Sequence, residues 1–274
     1  VKFDIPDSEP ILVVDGILTN DSLMAVKLSL TQAMNRNQSN LLVDDATIEV
    51  FDKDSNIISV LNYFGNGSYV SNLIKPLPND FYIFKISRLN KVYWVNDVMP
   101  DTLVSKIIDT TRLLFQGVNQ FFQFKFTIYD KSLLKNHYGI KIKGIFENYR
   151  NLDTSISYEW LTIQTNDFIL TQDAKSSFSN SNILFSDQYF NGQNKELIFG
   201  CANLFNSPNK KIKQLLVYSS SYSISAYNYF TSVNEHVYYQ NDPFSLPAPI
   251  QGNVLGAYGG LVSQYMKVDT VRFK

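Results

Sequence analysis

The sequence predicts a mainly β protein: an N-terminal Ig-like or transthyretin-like β-sandwich, then a larger antiparallel β domain, sandwich or open barrel, with one helix in its C-terminal region. Three observations carry this. The chain holds 20 Phe and 17 Tyr in 274 residues, and aromatic side chains suit a pleated, half-buried surface. Apolar and polar residues alternate with a period of two, most clearly where Phe122, Phe124, Phe126 and Ile128 face away from Gln123, Lys125 and Thr127. Turn residues punctuate these runs at short intervals, as in a sandwich with Greek-key wiring.

In order, Val1 to Glu9 is polar, carries Pro6 and reads as a tether or edge strand. Ile11 to Leu18 is a strand in which Asp15-Gly16 suggests a bulge. After the turn at Asn20-Asp21, Val26, Leu28 and Leu30 alternate with Lys27, Ser29 and Thr31. Ala46 to Phe51 and Ile57 to Tyr63 form a hairpin, followed by turns at Gly65-Asn66-Gly67 and Arg88-Leu89-Asn90. The composition shifts near Met99-Pro100-Asp101, which sets domains at 1–99 and 100–274. Thr102 to Phe115 fits a helix and a strand equally.

In the second domain Phe122 to Ile128, Tyr138 to Lys143, Ser157 to Thr165 around Trp160, Lys195 to Gly200 and Ile212 to Tyr218 read as strands. Ser223 then caps a helix over about 223–239, with Tyr227, Phe230, Val233 and Val237 on one stripe. The Gly-rich stretch from Gly252 to Gly260 opens the last strands.

A formal charge of −1 argues against a surface that tracks nucleic-acid phosphates. Mean hydropathy is −0.12, that of a folded, water-facing domain. One cysteine, Cys201, excludes an intrachain disulfide. No apolar run reaches the length of a membrane helix. The absence of an initiator Met at Val1 is expected of a mature or trimmed product.

Catalytic and metal-binding patterns are sparse, so no catalytic residue, no metal site and no cofactor is expected. His137 and His236 stand far apart and read as structural. Cys201 lacks the local partners that would lower a thiol pKa and reads as a small core residue. Asp52-Lys53-Asp54-Ser55-Asn56 opens like a calcium loop, but Ile57 and Tyr63 replace its glycine and glutamate, so it reads as a turn. Asp44-Asp45 and Asp187 are left as carboxylates that could help hold a cation. The expected binding residues are aromatic and acidic ones after the helix: Tyr238, Tyr239, Asp242, Phe244 and Leu246, beside a Pro-rich loop.

Three stretches resemble one family. Tyr218 to Tyr229, with Asn241-Asp242-Pro243-Phe244-Ser245-Leu246-Pro247, Gly252-Asn253-Val254 and Leu255-Gly256-Ala257-Tyr258, resembles the C-terminal signature of the DUF4249 lipoproteins of the Bacteroidetes outer membrane. Leu12 to Asp21 is similar to that family's opening strand, and Phe185 to Gly192 to its central Asp-x-x-Phe-x-Gly element. The resemblance implies a lipid-anchored outer-membrane protein. It further implies an accessory role beside a TonB-dependent receptor in nutrient capture, without catalysis. A small-molecule, glycan or peptide ligand is the expected partner besides that receptor. A structural or adhesive module, and a hydrolase built on Asp187 and Asp242, are the competing expectations.

Overall fold

The computed structural model describes residues 9–31, 41–115, 119–130, 134–150, 153–172, 181–203, 209–238 and 255–269. The elements run β1 Leu12–Thr19, β2 Ala25–Leu30, β3 Leu41–Leu42, β4 Thr47–Phe51, β5 Ile57–Gly65, β6 Ser68–Val70, β7 Phe81–Arg88 and β8 Lys91–Val98. They continue with β9 Ser105–Phe115, β10 Asn119–Tyr129, β11 His137–Arg150, β12 Asp153–Leu161, β13 Ile163–Gln164, α1 Phe168–Gln172 and β14 Ile183–Ser186. The last are β15 Asn194–Asn203, β16 Lys210–Tyr222, α2 Ile224–Tyr238 and β17 Leu255–Asp269. The mainly β, sandwich-like class follows directly from this order.

The chain forms two compact units. The first is drawn from Val1–Asp101, Tyr222–His236 and Gln240–Val262, the second from Thr102–Ser221, Val237–Tyr239 and Ser263–Lys274. Helix α2 and the start of β17 therefore group with the N-terminal strands.

In the first unit the strands follow the order β17-β1-β2-β6-β5-β4-β7-β8, with β3 on β2. Alternation decides which side chains go inward. Leu12, Val14, Val26 and Leu28 from β1 and β2 meet Ile48, Val50, Phe84, Ile86 and Val95 from β4, β7 and β8 in one core. The ladder thus curls back on itself as a sandwich, and each fully buried side chain of this kind contributes roughly 1.5–3 kcal/mol. Asn66 and Gly67, with φ of 51° and 74°, join β5 to β6. Positive φ at both central residues gives the turn whose twist matches the flanking strands.

Two details depart from the sequence reading. β1 runs through Asp15-Gly16 without a break, since its parallel pairing with β17 is continuous from Val13↔Leu255 to Thr19↔Leu261. That parallel pair was not expected in an antiparallel plan. It is possible because β1 and β17 lie at opposite ends of the chain and need no tight connection.

In the second unit the order β12-β11-β16-β17, with β14 on β11, faces a four-stranded sheet, β13-β15-β10-β9. Phe122, Phe124, Phe126 and Ile128 from β10 meet Ile140, Ile142 and Phe146 from β11 and Leu215 and Val217 from β16. The segment that fitted helix and strand equally is a strand, β9, because it pairs with β10 from Ser105↔Ile128 to Phe115↔Asn119. Its ladder skips Ile108 opposite Lys125 and Phe126, a bulge that bends this edge strand. The structure also adds a helix to the one expected, the short α1, capped by Asp167 Oδ1 accepting from Ile169 N at 3.0 Å.

Candidate functional site

The second unit presents an aromatic face. On β11 the residues Ile142, Gly144 and Phe146 are buried, so Lys141, Lys143, Ile145 and Glu147 point outward. β12 pairs alongside in the register Lys143↔Trp160, Ile145↔Tyr158 and Glu147↔Ile156, which puts Trp160, Tyr158 and Ile156 on the same side. These three are 49, 60 and 46 % exposed. Trp160 meets Tyr218 of β16 edge-on at 5.3 Å across the intervening β11, and Tyr218 meets Tyr265 of β17 at 5.5 Å. The rings form a row over four adjacent strands.

Two ammonium groups are set into this row. Lys143 Nζ lies 5.1 Å from the Trp160 ring and 5.5 Å from Tyr158, and Lys141 Nζ 5.7 Å from Trp160. Ring quadrupoles attract such cations. Burial pushes the Lys141 ammonium below the usual lysine range. At the rim, Glu147 accepts from Tyr149 Oη at 2.7 Å and faces Lys213 at 3.7 Å. The face therefore combines flat apolar area with positive charge, a chemistry that suits an acidic, ring- or peptide-like surface.

The first unit carries a smaller version, in which Trp94 sits 5.9 Å from Phe51 and Lys85 Nζ 6.0 Å from the Trp94 ring. There Glu49 holds Lys85 at 2.6 Å, which cancels its charge.

The outer side of the four-stranded sheet holds a groove of about 480 Å³ lined by Leu113, Phe121, Gln123, Gln164, Asn166 and Ile198, among others. Between the lining residues Gln123 and Gln164 runs β15, where Gly200 is in register with Gln123 on one side and Gln164 on the other. A Cβ on Gly200 would stand 2.4 Å from the Phe122 carbonyl and 2.5 Å from the Phe121 ring. Glycine is therefore what lets the ring lie across the strand between two amides. Gly200→Ala is expected to destabilise the chain by about 1–3 kcal/mol through backbone displacement, read by urea unfolding; an unchanged midpoint would contradict this contact. Asp167 also lines the groove, and its carboxylate accepts from Ile169 N at 3.0 Å and from Ile198 N at 3.2 Å.

The family model described as a domain of unknown function, DUF4249, matches residues 1–265. The chain belongs to the DUF4249 family. No curated protein matches it.

Within this DUF4249 chain, the central Asp-x-x-Phe-x-Gly element is a clasp. Asp187 is fully buried, and its Oδ2 accepts from Asn136 N at 2.8 Å and from Asn136 Nδ2 at 3.2 Å. Phe190 N closes a turn onto the Asp187 carbonyl at 2.8 Å, and the Phe190 ring stacks on Tyr138 at 6.2 Å. Gly192, at φ 73°, gives its N–H to Asp130 Oδ2 at 2.8 Å. Each named position of the element thus has a role in holding a turn, with glycine required by its left-handed backbone. Burial raises the Asp187 carboxyl above the usual carboxylate range, and Asp130 adds to this against the two Asn136 donors.

A second clasp anchors α2 of the DUF4249 chain. Ser223 Oγ donates to Asp97 Oδ2, and Gly260 N lies 3.0 Å from Ser223 Oγ and 3.3 Å from Asp97 Oδ2. Ser223 Oγ also accepts from Ala226 N at 3.2 Å, the capping bond expected of it. Burial raises the Asp97 carboxyl above its ordinary value, against its hydrogen bonds from Ser223, Val98, Gly260 and Ser225.

Of the expected binding residues, Tyr239, Asp242, Phe244 and Leu246 lie outside the described residues. Tyr238 is the last residue of α2, and its side chain lies outside them as well. Asp45 is paired with Arg88 at 2.6 Å. Asp52 accepts from Asp54 N and Asn56 N, both at 2.9 Å, so the calcium-loop look-alike is the turn it was read to be. Burial pushes the Cys201 thiol up to about 12, which makes it inert. Among the described residues no three His, Cys, Asp or Glu side chains gather as a metal set, and no helix is long and apolar enough to cross a membrane.

The sequence reading missed the aromatic face. Trp160, Tyr218 and Tyr265 are far apart in the chain and become neighbours only through the strand order. Alternation groups Tyr158 and Trp160 with Ile156, opposite Ser157 and Glu159, so the pattern alone assigns these rings to a buried side, whereas the structure exposes them.

Proposed function

We propose that this DUF4249 chain is a non-enzymatic binding protein, held at the outer membrane by an N-terminal lipid. In this role it acts as an accessory to a TonB-dependent receptor in nutrient capture. The observation that carries the reading is the exposed row Trp160–Tyr218–Tyr265 with Lys141 and Lys143 set into it. A water-facing row of rings across four strands has little value for stability and considerable value for recognition, because aromatic anchors dominate interface energetics. The ammonium groups favour an acidic counterpart, on the receptor or on its cargo.

The test is capture from detergent-solubilised outer membrane by the lipidated chain, with the triple variant Tyr158→Ala, Trp160→Ala, Tyr265→Ala as control. Wild type is expected to recover a receptor, and the variant to recover roughly thirtyfold less or lower, as the loss of hot-spot residues implies. Recovery of no receptor, together with no binding to acidic glycans or peptides, would contradict the reading.

A further inference from the structure

We propose that the outer edge of β12 joins two copies of this chain, strand against strand, about a twofold axis at Ser157. The argument starts from the direction of backbone groups. β12 ends the order β12-β11-β16-β17, so among the described residues it has a partner strand on one side only. Tyr149 N donates to Asn209 O at 2.7 Å, just before β16, which turns the Tyr149 backbone away from β12. Tyr149 stands opposite Thr154, and the register runs without a shift from Arg150↔Asp153 to Ile142↔Leu161. In an antiparallel ladder such a pair exchanges no hydrogen bonds, and the pattern recurs at every second residue. The N–H and C=O groups of Thr154, Ile156, Tyr158 and Trp160 therefore point out along the open edge.

Edges of this kind are normally blunted by lysine, proline, a bulge or shortness. The four-stranded sheet of the same unit shows these devices. β9 carries Lys106, Arg112 and its bulge. β13 is 2 residues long, and past its end Thr165 Oγ1 donates to Ile198 O at 2.6 Å while Asp167 Oδ2 accepts from Ile198 N at 3.2 Å. β12 is 9 residues long, Asp-Thr-Ser-Ile-Ser-Tyr-Glu-Trp-Leu, and has none of them. Its one charge away from the strand end, Glu159, is held by Lys210 at 2.6 Å.

The edge is complementary to itself. Antiparallel pairing centred on Ser157 sets Thr154 opposite Trp160 and Ile156 opposite Tyr158. Residues whose backbone groups face the edge thus meet residues of the same kind, and each opposed pair exchanges both hydrogen bonds. Ile156 with Tyr158 is a β-branched and aromatic pair, which is favourable across strands. Asp153 falls opposite Leu161 and Glu159 opposite Ser155, so no like charges are opposed within the strand. Ser157 meets its own copy at the axis, where the close approach of a pair without hydrogen bonds calls for a small side chain. The contact uses the strand's edge and leaves the ring face open, so it does not rest on the receptor reading.

The experiment is sedimentation velocity of the full chain over a range of concentrations. A monomer–dimer equilibrium is expected, with Kd on the order of 10–100 µM, the weak class to which a small interface belongs. Ile156→Pro removes an N–H that β11 does not use, a change that edge strands tolerate, and is expected to weaken the dimer about tenfold or more. Ile156→Lys, which charges the edge, serves the same purpose if the proline variant does not fold. Cysteine substitution reads the register, since the native Cys201 is buried. Ser157→Cys is expected to oxidise to a linked dimer, its two copies lying within disulfide reach at the axis. Ser155→Cys is expected to stay unlinked, its copies standing roughly 14 Å apart along the strands. A chain that remains monomeric up to about 1 mM, ten times the upper Kd, would overturn the proposal. So would a dimer indifferent to the Ile156 variants, or one linked equally through Ser155→Cys and Ser157→Cys.

Discussion

Phe124→Ala is expected to lower the stability of the second unit by about 3–5 kcal/mol, the range for a fully buried phenylalanine whose cavity cannot collapse. Phe124 is 0 % exposed, faces Phe199 directly across the β10–β15 ladder, and stacks on it at 5.6 Å. Phe126 closes on the same ring at 5.7 Å. Removing Phe124 opens a void bounded by two strands whose backbone is fixed by hydrogen bonds, so relaxation is limited. Urea unfolding followed by near-ultraviolet dichroism is the measurement, and a loss under 1 kcal/mol would show that this core is not packed as described.

Asp97→Ala is expected to cost about 2–4 kcal/mol, since hydrogen bonds to a charged group and the donors left behind are both expensive. Asp97 Oδ1 accepts from Val98 N at 2.8 Å, and Oδ2 serves Ser223 and Gly260, the clasp that ties the start of α2 to β17. A pH dependence goes with it. Burial raises the Asp97 carboxyl in the folded chain, so the folded state holds that proton more tightly than the unfolded state does. Its contribution is therefore most favourable at acid pH and is lost as pH rises from the ordinary carboxylate value through the raised one. Subtracting the stability–pH curve of Asp97→Ala from that of wild type should leave a difference that falls with rising pH in that window. A difference that rises there would contradict the burial of this carboxyl.

What the sequence disclosed depended on the distance over which each signal acts. Alternation is local, and the strands from Phe122 to Ile128 and from Tyr138 to Lys143 follow from it because one residue in two must face the core. Ser223 as a cap is local too. The strand at β9 was undecidable from Leu103, Ile107 and Ile108 alone, because its conformation is fixed by pairing with β10, not by its own pattern. β14, all four of whose residues are buried, gives no alternation to read. The parallel partnership of β1 with β17, and the row of rings on the second unit, arise from strand order, which no stretch of residues encodes by itself. The Asp-x-x-Phe-x-Gly element shows the intermediate case: its residues are adjacent, but their purpose depends on Asn136 and Asp130, both more than fifty residues away.

The assignment of recognition to the ring row is tested most directly by tryptophan fluorescence. The chain contains two tryptophans, so Trp94→Phe leaves Trp160 as sole reporter. With Lys141 and Lys143 beside the ring, iodide should quench it more strongly than caesium, and receptor purified from outer membrane should shield it from iodide. Quenching that is unchanged by bound receptor would contradict the account.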